Sequence, residues 1–350
     1  NVLRETHHLS VGHFPQSFDI STVGGWIGSR GAGQFSTRYG KIDDMVAGLE
    51  VVLADGSVIL TGTEPAGAAG PNLSSLFIGS EGSFGIISKV WLRAHPIAPA
   101  QRRAAYMFGS FTDAVEAMRV SIRSGATPAV LRLYDERESK RAHGGDGTQC
   151  ALLVLDEGET ILIDAMMKVV DNACQANNAQ PADVALVEHW MNHRNDTSGL
   201  QVLSKKGFVI DTMEVAVVWS KVNQVAETVK KSIMAVTGAR SASCHISHSY
   251  IDGACIYFTF VAEPANNTLE AIEKTYEAIW NAAQTSALDA GANLSHHHGV
   301  GINRAKFIKR ALGPAHDVLA AIKQAVDPKD ILNPGKLGFA SSRGEVKTKR

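Results

Sequence analysis

The chain has 350 residues, which at about 150 residues per domain suggests two domains or one domain with a large insertion. Its 34 Lys and Arg offset 35 Asp and Glu to a formal net charge of −1, which argues against a strongly basic nucleic-acid binder and against an acidic disordered chain. Hydrophobic residues make up 45%, enough for a buried core, yet no apolar run approaches the roughly 18 residues of a membrane span. The first residues, NVLRETHHLSVGH, lack the order of a secretory signal. Cys150, Cys174, Cys244 and Cys255 lie far apart with no CxxC pair, so neither a disulfide framework nor a zinc site is expected, and a reducing compartment is the simpler expectation.

Residues 12–45 are rich in Gly, Ser and Thr. A hairpin follows, with Val46 to Leu53 outbound, Asp55-Gly56 at the turn and Ser57 to Thr61 returning. A loop of small residues, 62–70, leads to a short helix over LSSLFI, a second glycine cluster, GSEGSFG, and a strand over Ile86 to Leu92. His95-Pro96 and Pro99 punctuate the chain and mark a domain boundary. Beyond it, apolar spacing predicts helices over Phe111 to Ser124, Thr160 to Ala176, Ser220 to Thr237 and Thr268 to Ala290. Asn267 is the expected cap of the last of these, with Glu270 three residues on. Strands are expected over Val130 to Tyr134, Ala151 to Leu155, Met213 to Val218 and Cys255 to Val261. This alternation predicts an α+β layer with helices on one face. A final helix over Ala315 to Val326 stops at Asp327-Pro328, and a frayed tail closes the chain.

Three segments carry chemistry. The glycine clusters, Gly24 to Gly33 and Gly79 to Gly85, contain hydroxyls at Ser29, Ser80 and Ser83, with Ser21 and Thr22 just upstream. Glycine lets backbone N–H groups approach an anion because no Cβ intervenes, although the same residues also make tight turns. Neither cluster has the order of a nicotinamide fingerprint, and no GxxxxGK[ST] loop is present. The second segment is SHHHGVG: on a strand, His296 and His298 share one side and His297 takes the other. Buried structural histidines, a metal site without an obvious carboxylate or cysteine partner at ligand spacing, and acid–base or substrate-binding work all fit this pattern. The third is SYIDGACIYFTF, where Tyr257 sits in an apolar alternating run that ordinarily marks a core tyrosine.

Taken together, PQSFDISTVGGWIGSRGAG, YGKIDDMV, GSEGSFGII, SYIDGACIYF, SHHHGVG and DPKDILNPGKL resemble the FAD-binding family of vanillyl-alcohol oxidase and p-cresol methylhydroxylase type. Within it they resemble the alkylglycerone-phosphate (alkyldihydroxyacetonephosphate) synthase branch. The resemblance implies an α+β fold: the C-terminal part of a PCMH-type FAD-binding domain over 1–97, and an α+β, ferredoxin-like cap over 98–326. A segment over 327–338 would return to the cofactor, and 339–350 would form a flexible tail. FAD is the implied cofactor, wrapped by Gln16, Ser17, Phe18, Asp19, Ile20, Ser21 and Thr22, by Ser29, Arg30, Gly31 and Ala32, and by Glu81, Gly82, Ser83, Phe84, Gly85, Ile86 and Ile87. His13 would lie nearby, and Asn333 and Lys336 would belong to the returning segment.

The same resemblance makes Tyr257, His296, His297 and His298 the catalytic group and Arg132 a substrate-binding residue, with no metal. It implies an enzyme acting on a hydroxylated small molecule, with true alkyl transfer in ether-lipid synthesis as the alternative. A homodimer, peripheral membrane contact for a lipid substrate, and a cytoplasmic or peroxisomal location are compatible with it; nucleic acid and an integral membrane segment are not. Two departures stand out. The family's upstream subdomain, with a further cofactor loop, has no counterpart before Asn1, so a fragment that is inactive or needs a partner is a rival expectation. Leu200 or Gln201 stands where the synthases have an arginine, with Arg194, Lys205 and Lys206 as nearby substitutes.

Overall fold

The computed structural model describes residues 2–196 and 198–341, apart from the side chain of Leu200. By its contacts the chain forms two units: residues up to 33, 39–96 and from 294 onward make the first, and 34–38 with 97–293 make the second. Residues 294–326, expected within the cap, therefore pack with the first unit.

The first unit is built on an antiparallel three-stranded sheet, in the order Val58–Gly62, Val46–Val52, Ile86–Leu92. The Asp55-Gly56 turn forms as its sequence dictates. Gly56 adopts φ +85°, its N–H donates to Leu53 O (3.0 Å), and Asp55 Oδ1 accepts from Ser57 N (2.9 Å). Leu49 and Val51 are fully buried on the inner face of the central strand. Near the C-terminus, the helix Ala315–Val326 ends at Asp327, whose carboxylate accepts from Ile331 N (3.0 Å) and Leu332 N (2.8 Å) and pairs with the buried ammonium of Lys323. That buried pair fixes the approach to the NPGK turn. Phe339, placed by expectation in the tail, is buried against Phe84 and His316; the rest of that expected tail, 342–350, lies outside the described residues.

The second unit is an antiparallel seven-stranded sheet. Its order is Val209–Val218, Gly253–Ala262, Ala239–Ser249, Val130–Tyr134, Cys150–Gly158, Ala100–Phe108, Gln180–Ala182. Alternation along the strands sends Leu131, Leu133, Leu152, Val154, Cys244, Ile246, Ile256, Phe258 and Phe260 to one face. There they pack under the helices Phe111–Arg123, Thr160–Ala176, Val222–Met234 and Leu269–Asp289. Each such fully buried side chain contributes about 1.5–3 kcal/mol, so this layer dominates the unit's stability. The four long helices share one face, as the alternation predicts, whereas the shorter helices Glu136–His143 and Ala185–His193 lie on the other side, where Glu138 meets His245 and Trp190 meets Arg132.

Several local expectations are corrected. The long helix is capped by Thr268, whose hydroxyl accepts from Ala271 N (3.3 Å), and not by Asn267; Asn266 Oδ1 in turn accepts from Thr268 N (3.0 Å). The shift leaves Glu270 one position short of a capping box. Strands Ala100–Phe108 and Ala239–Ser249 form where the sequence predicts none, because their charged and polar alternation (QRRAAY, RSASCHISHS) has no apolar periodicity on one side. All four cysteines are buried and free. No helix among the described residues is long and apolar enough to cross a membrane.

Residues 34–38 belong to the second unit through their side chains. Arg38 Nη1 pairs with the fully buried Asp156 (2.8 Å), Ser36 Oγ meets His248 Nδ1 (2.6 Å), and Thr37 Oγ1 accepts from Ser249 N (3.2 Å). Burial pushes the Asp156 carboxyl up, and Arg38 pulls it back down. Removing one member of such a pair strands the other. Arg38→Ala is therefore expected to cost about 3–5 kcal/mol in a denaturant melt, whereas Arg38→Lys should recover part of it.

Candidate active site

In the first unit the two glycine clusters form one continuous backbone surface. Gly79 N donates to Ile27 O (2.9 Å) and Glu81 N to Gly28 O (3.0 Å), so GSEG lies against the end of the short helix Val23–Gly28. Thr22 caps that helix by accepting from Gly25 N (3.1 Å). Ser21 Oγ accepts from the Trp26 indole N–H (2.7 Å), and Phe18 stacks on the same indole at 5.9 Å. Gln16 to Ile20 form an exposed turn ahead of it, with Ile20 89% exposed. A Cβ at Gly24 or Gly28 would meet nothing within 4 Å, so open space lies beside both.

Not every expected cofactor residue presents its side chain to that surface. Arg30, at φ +56°, lays its aliphatic stem over Gly79 and pairs with Asp43 (2.7 Å). Gly31 O accepts from Ile42 N, and Ala32 is buried. Phe84 packs into the core on Phe339, while Gly85 is glycine because a Cβ there would meet Val51 Cγ1 at 2.4 Å. Ile86 and Ile87 are already sheet residues, paired with Val52 and Val51. Lys336 opens the last helical turn and is half-buried.

The histidine triplet does not lie on a strand. His296 to His298 form a bend, and their rings gather instead of alternating: centroids are 5.0 Å apart for His296 and His297, and 4.3 Å for His297 and His298. His296 is buried, His297 half-buried and His298 exposed. His296 Nδ1 and His297 Nδ1 share a hydrogen bond of 2.8 Å, and Lys41 Nζ donates to His296 O (2.6 Å). The bend is held by a residue whose role the sequence does not suggest. Glu81, itself at φ +50°, accepts through its carboxylate from Val300 N (2.6 Å) and Gly301 N (3.0 Å), and through its carbonyl from Asn333 Nδ2. Glu81 thus ties GSEG, HHHGVG and NPGK together.

In the second unit the sheet face opposite the four long helices carries a polar row. Register places Tyr134, His245, Tyr257 and Glu214 in one row across four strands. Tyr257 stacks on His245 (4.9 Å, 15°), and its hydroxyl accepts from Thr212 Oγ1 (3.2 Å). Burial pushes the Tyr257 phenol up to about 12, so it holds its proton at neutral pH. Arg132 is half-buried beside this row. Its Nε donates to Tyr134 Oη (2.7 Å) and its Nη2 to His245 Nε2 (2.6 Å), and the guanidinium lies 5.6 Å from the Trp190 ring. Among the described residues, Arg132 makes no ion pair with a carboxylate. His245, Glu138 and Thr212 escape sequence reasoning. Only the polar alternation in SASCHISHS hints at His245, and it reads equally well as a loop.

The residues that the resemblance offers in place of the synthase arginine lie on the helix Ser198–Lys205 or beside it. Gln201 is exposed on the helix Ser198–Lys205, and the Leu200 side chain lies outside the described residues. Arg194 bonds Gln34 Oε1 and covers the Phe35 ring at 5.5 Å, while Lys205 and Lys206 are exposed.

Two units, one on a three-stranded antiparallel sheet and one on a seven-stranded antiparallel sheet with helices, define a mixed α+β protein. The chain belongs to the FAD-linked oxidase family: residues 97–337 match the family described as FAD linked oxidases, C-terminal domain, and residues 2–62 match FAD binding domain. It is 31% identical over 352 residues to the uncharacterized FAD-linked oxidoreductase YgcU of Escherichia coli O157:H7, covering 96% of this chain and 72% of that protein. It is 29% identical over 359 residues to the alkyldihydroxyacetonephosphate synthase of Trypanosoma brucei brucei, covering 93% of this chain and 58% of that protein. A solved alkyldihydroxyacetonephosphate synthase structure superposes with a TM-score of 0.74 at 24% identity, over 94% of this chain and 61% of that one, a likeness of fold. The chain therefore spans about three fifths of the synthases it matches. The family resemblance read from the motifs is borne out, and the cofactor is FAD.

The residues present fit such a group. Among the described residues, both ring nitrogens of the buried His13 and the buried hydroxyl of Ser83 have no hydrogen-bond partner, a costly state for a protein to keep unless a ligand satisfies it. Burial holds the His13 imidazole down at about 4, so it is neutral at physiological pH, with one nitrogen to donate and one to accept. Glu81→Ala should release the N–H groups of Val300 and Gly301 and loosen three loops at once. Bonds to a charged acceptor are worth about 1.5–3 kcal/mol, so a lower melting temperature and weaker FAD retention on gel filtration are expected. Retention equal to the parent would show that the clamp is dispensable.

Proposed function

We propose that the protein is an FAD-dependent oxidoreductase that oxidises a hydroxylated small molecule bearing one carboxylate, as in a 2-hydroxy acid. The observation that supports this reading is Arg132, a half-buried guanidinium held by two neutral acceptors and, among the described residues, paired with no carboxylate. A partly desolvated cation gains from a counter-ion, and a planar guanidinium suits a carboxylate in a bidentate pair. When bound, FAD supplies the two-electron chemistry. Arg132 fixes the substrate's anionic end, and Tyr257, kept protonated by its burial, donates a hydrogen bond to the substrate oxygen. His297 and His298 orient the hydroxyl and take its proton, a task for which imidazole is suited near neutral pH.

A second reading, exchange of acyl for alkyl on dihydroxyacetone phosphate, is favoured by the similarity to the trypanosomal synthase. It calls for a phosphate dianion to be held, which one arginine does less well than two. The deciding experiment mixes the FAD-loaded protein anaerobically with a panel of 2-hydroxy acids and, separately, with acyl-dihydroxyacetone phosphate plus a fatty alcohol. Loss of visible flavin absorbance with a hydroxy acid supports the oxidoreductase. Ether product without net bleaching supports the transferase. Failure of both, with FAD bound, supports an inactive or partner-dependent chain.

A further inference from the structure

Arg132 lies close to a carboxylate without touching it. Glu138, on the helix Glu136–His143, is buried, and both of its oxygens are engaged: Oε2 by His245 Nδ1 (2.7 Å), and Oε1 by Ser243 Oγ (3.0 Å) and Arg141 (3.2 Å). His245 stands between Glu138 and Arg132 and bonds both. A guanidinium can only donate, so His245 Nε2 must accept; the imidazole proton then sits on Nδ1 and is given to Glu138. The ring is thereby neutral and fixed in one tautomer.

We propose that Glu138 and His245 are a positioning pair that orients Arg132 through a neutral acceptor, leaving its charge uncompensated for a substrate anion. This rests on the reading of Arg132 as an anion-binding residue. A carboxylate placed directly on Arg132 would neutralise the site. No support at all would let the guanidinium swing along its flexible stem. The interposed imidazole avoids both, because it supplies an acceptor without a charge. Stacking on Tyr257 and the edge of the row at Tyr134 keep the ring plane fixed.

The groups facing His245 are Arg132 and Tyr134 on one strand, Glu138, Arg141 and His143 on the helix, and Tyr257 on the neighbouring strand. Burial and Arg132 push the His245 imidazole down, and Glu138 pulls it partly back up. Although burial pushes the Glu138 carboxyl up, His245 and Arg141 hold it at about 2. Below its own titration point His245 protonates on Nε2, loses its acceptor and repels Arg132, so anion binding weakens on acidification. Removing the Glu138 charge lowers that titration point further and moves the acid limb to lower pH.

The test uses the FAD-loaded full chain and two probes, oxalate for a carboxylate and inorganic phosphate for a phosphoryl group, titrated calorimetrically between pH 4.5 and 8. Arg132→Leu should abolish binding of whichever anion the protein takes; unchanged binding overturns the anion-site reading itself. His245→Phe should weaken binding at least tenfold, while His245→Gln, whose amide oxygen can accept from Arg132, should stay within about threefold of the parent. Glu138→Gln should bind at pH 8 within about threefold and shift the acid limb downward. Parent-like affinity in His245→Phe, or an acid limb unmoved in Glu138→Gln, with Arg132→Leu still inactive, overturns the positioning pair and leaves the anion site standing. Equal loss in His245→Phe and His245→Gln with intact near-UV dichroism also overturns it.

Discussion

Tyr257→Phe is expected to lower turnover by at least two orders of magnitude while leaving the fold and bound FAD unchanged. The ring stacks on His245 and forms part of a strand whose helix-facing neighbours, Ile256 and Phe258, are fully buried. Phenylalanine keeps all of that packing. What it removes is one hydroxyl, which accepts from Thr212 and which burial keeps protonated. The loss should therefore fall on kcat, with the affinity for the anionic end of the substrate, assigned to Arg132, nearly constant. A variant with parent-like kcat would remove Tyr257 from the reaction. A fall in melting temperature equal to the fall in activity would make it a packing residue, the ordinary role of a tyrosine in an apolar run.

His297→Ala and His298→Ala should each reduce turnover by about two to four orders of magnitude, the range for losing a positioned acid–base group. FAD should be largely retained, because the bend that carries them is held from elsewhere: by Glu81 on Val300 and Gly301, and by Lys41 on His296 O. His296 is different. It is buried and bonds His297 through Nδ1, so His296→Ala should act through the placement of His297 and should also lower thermal stability. Activity abolished by EDTA and restored by zinc would replace this acid–base reading with a metal-dependent one.

Neighbouring residues in this chain were enough to specify much of the local structure. Asp55-Gly56 specifies its hairpin turn, the apolar spacing of Thr160–Ala176 and Val130–Tyr134 specifies a helix and a strand with those bounds, and Asp327-Pro328 ends the last helix. These signals act over a few residues, through φ preferences and one-sided burial, and a linear reading captures them. The glycine-hydroxyl segments together with SYIDGACIYF, SHHHGVG and DPKDILNPGKL, in that order along the chain, were likewise enough to indicate a flavoprotein family. Tertiary structure alone decided the roles of side chains whose partners are remote. His245 meets Arg132 across 113 residues and Glu138 across 107, and Glu81 meets Val300 across 219. No periodicity encodes such pairs, since each depends on how strands are ordered in a sheet or on which loops converge. The histidine triplet makes the same point at short range: alternation holds only on a strand, and here Glu81 and Lys41 hold the segment as a bend that gathers its rings.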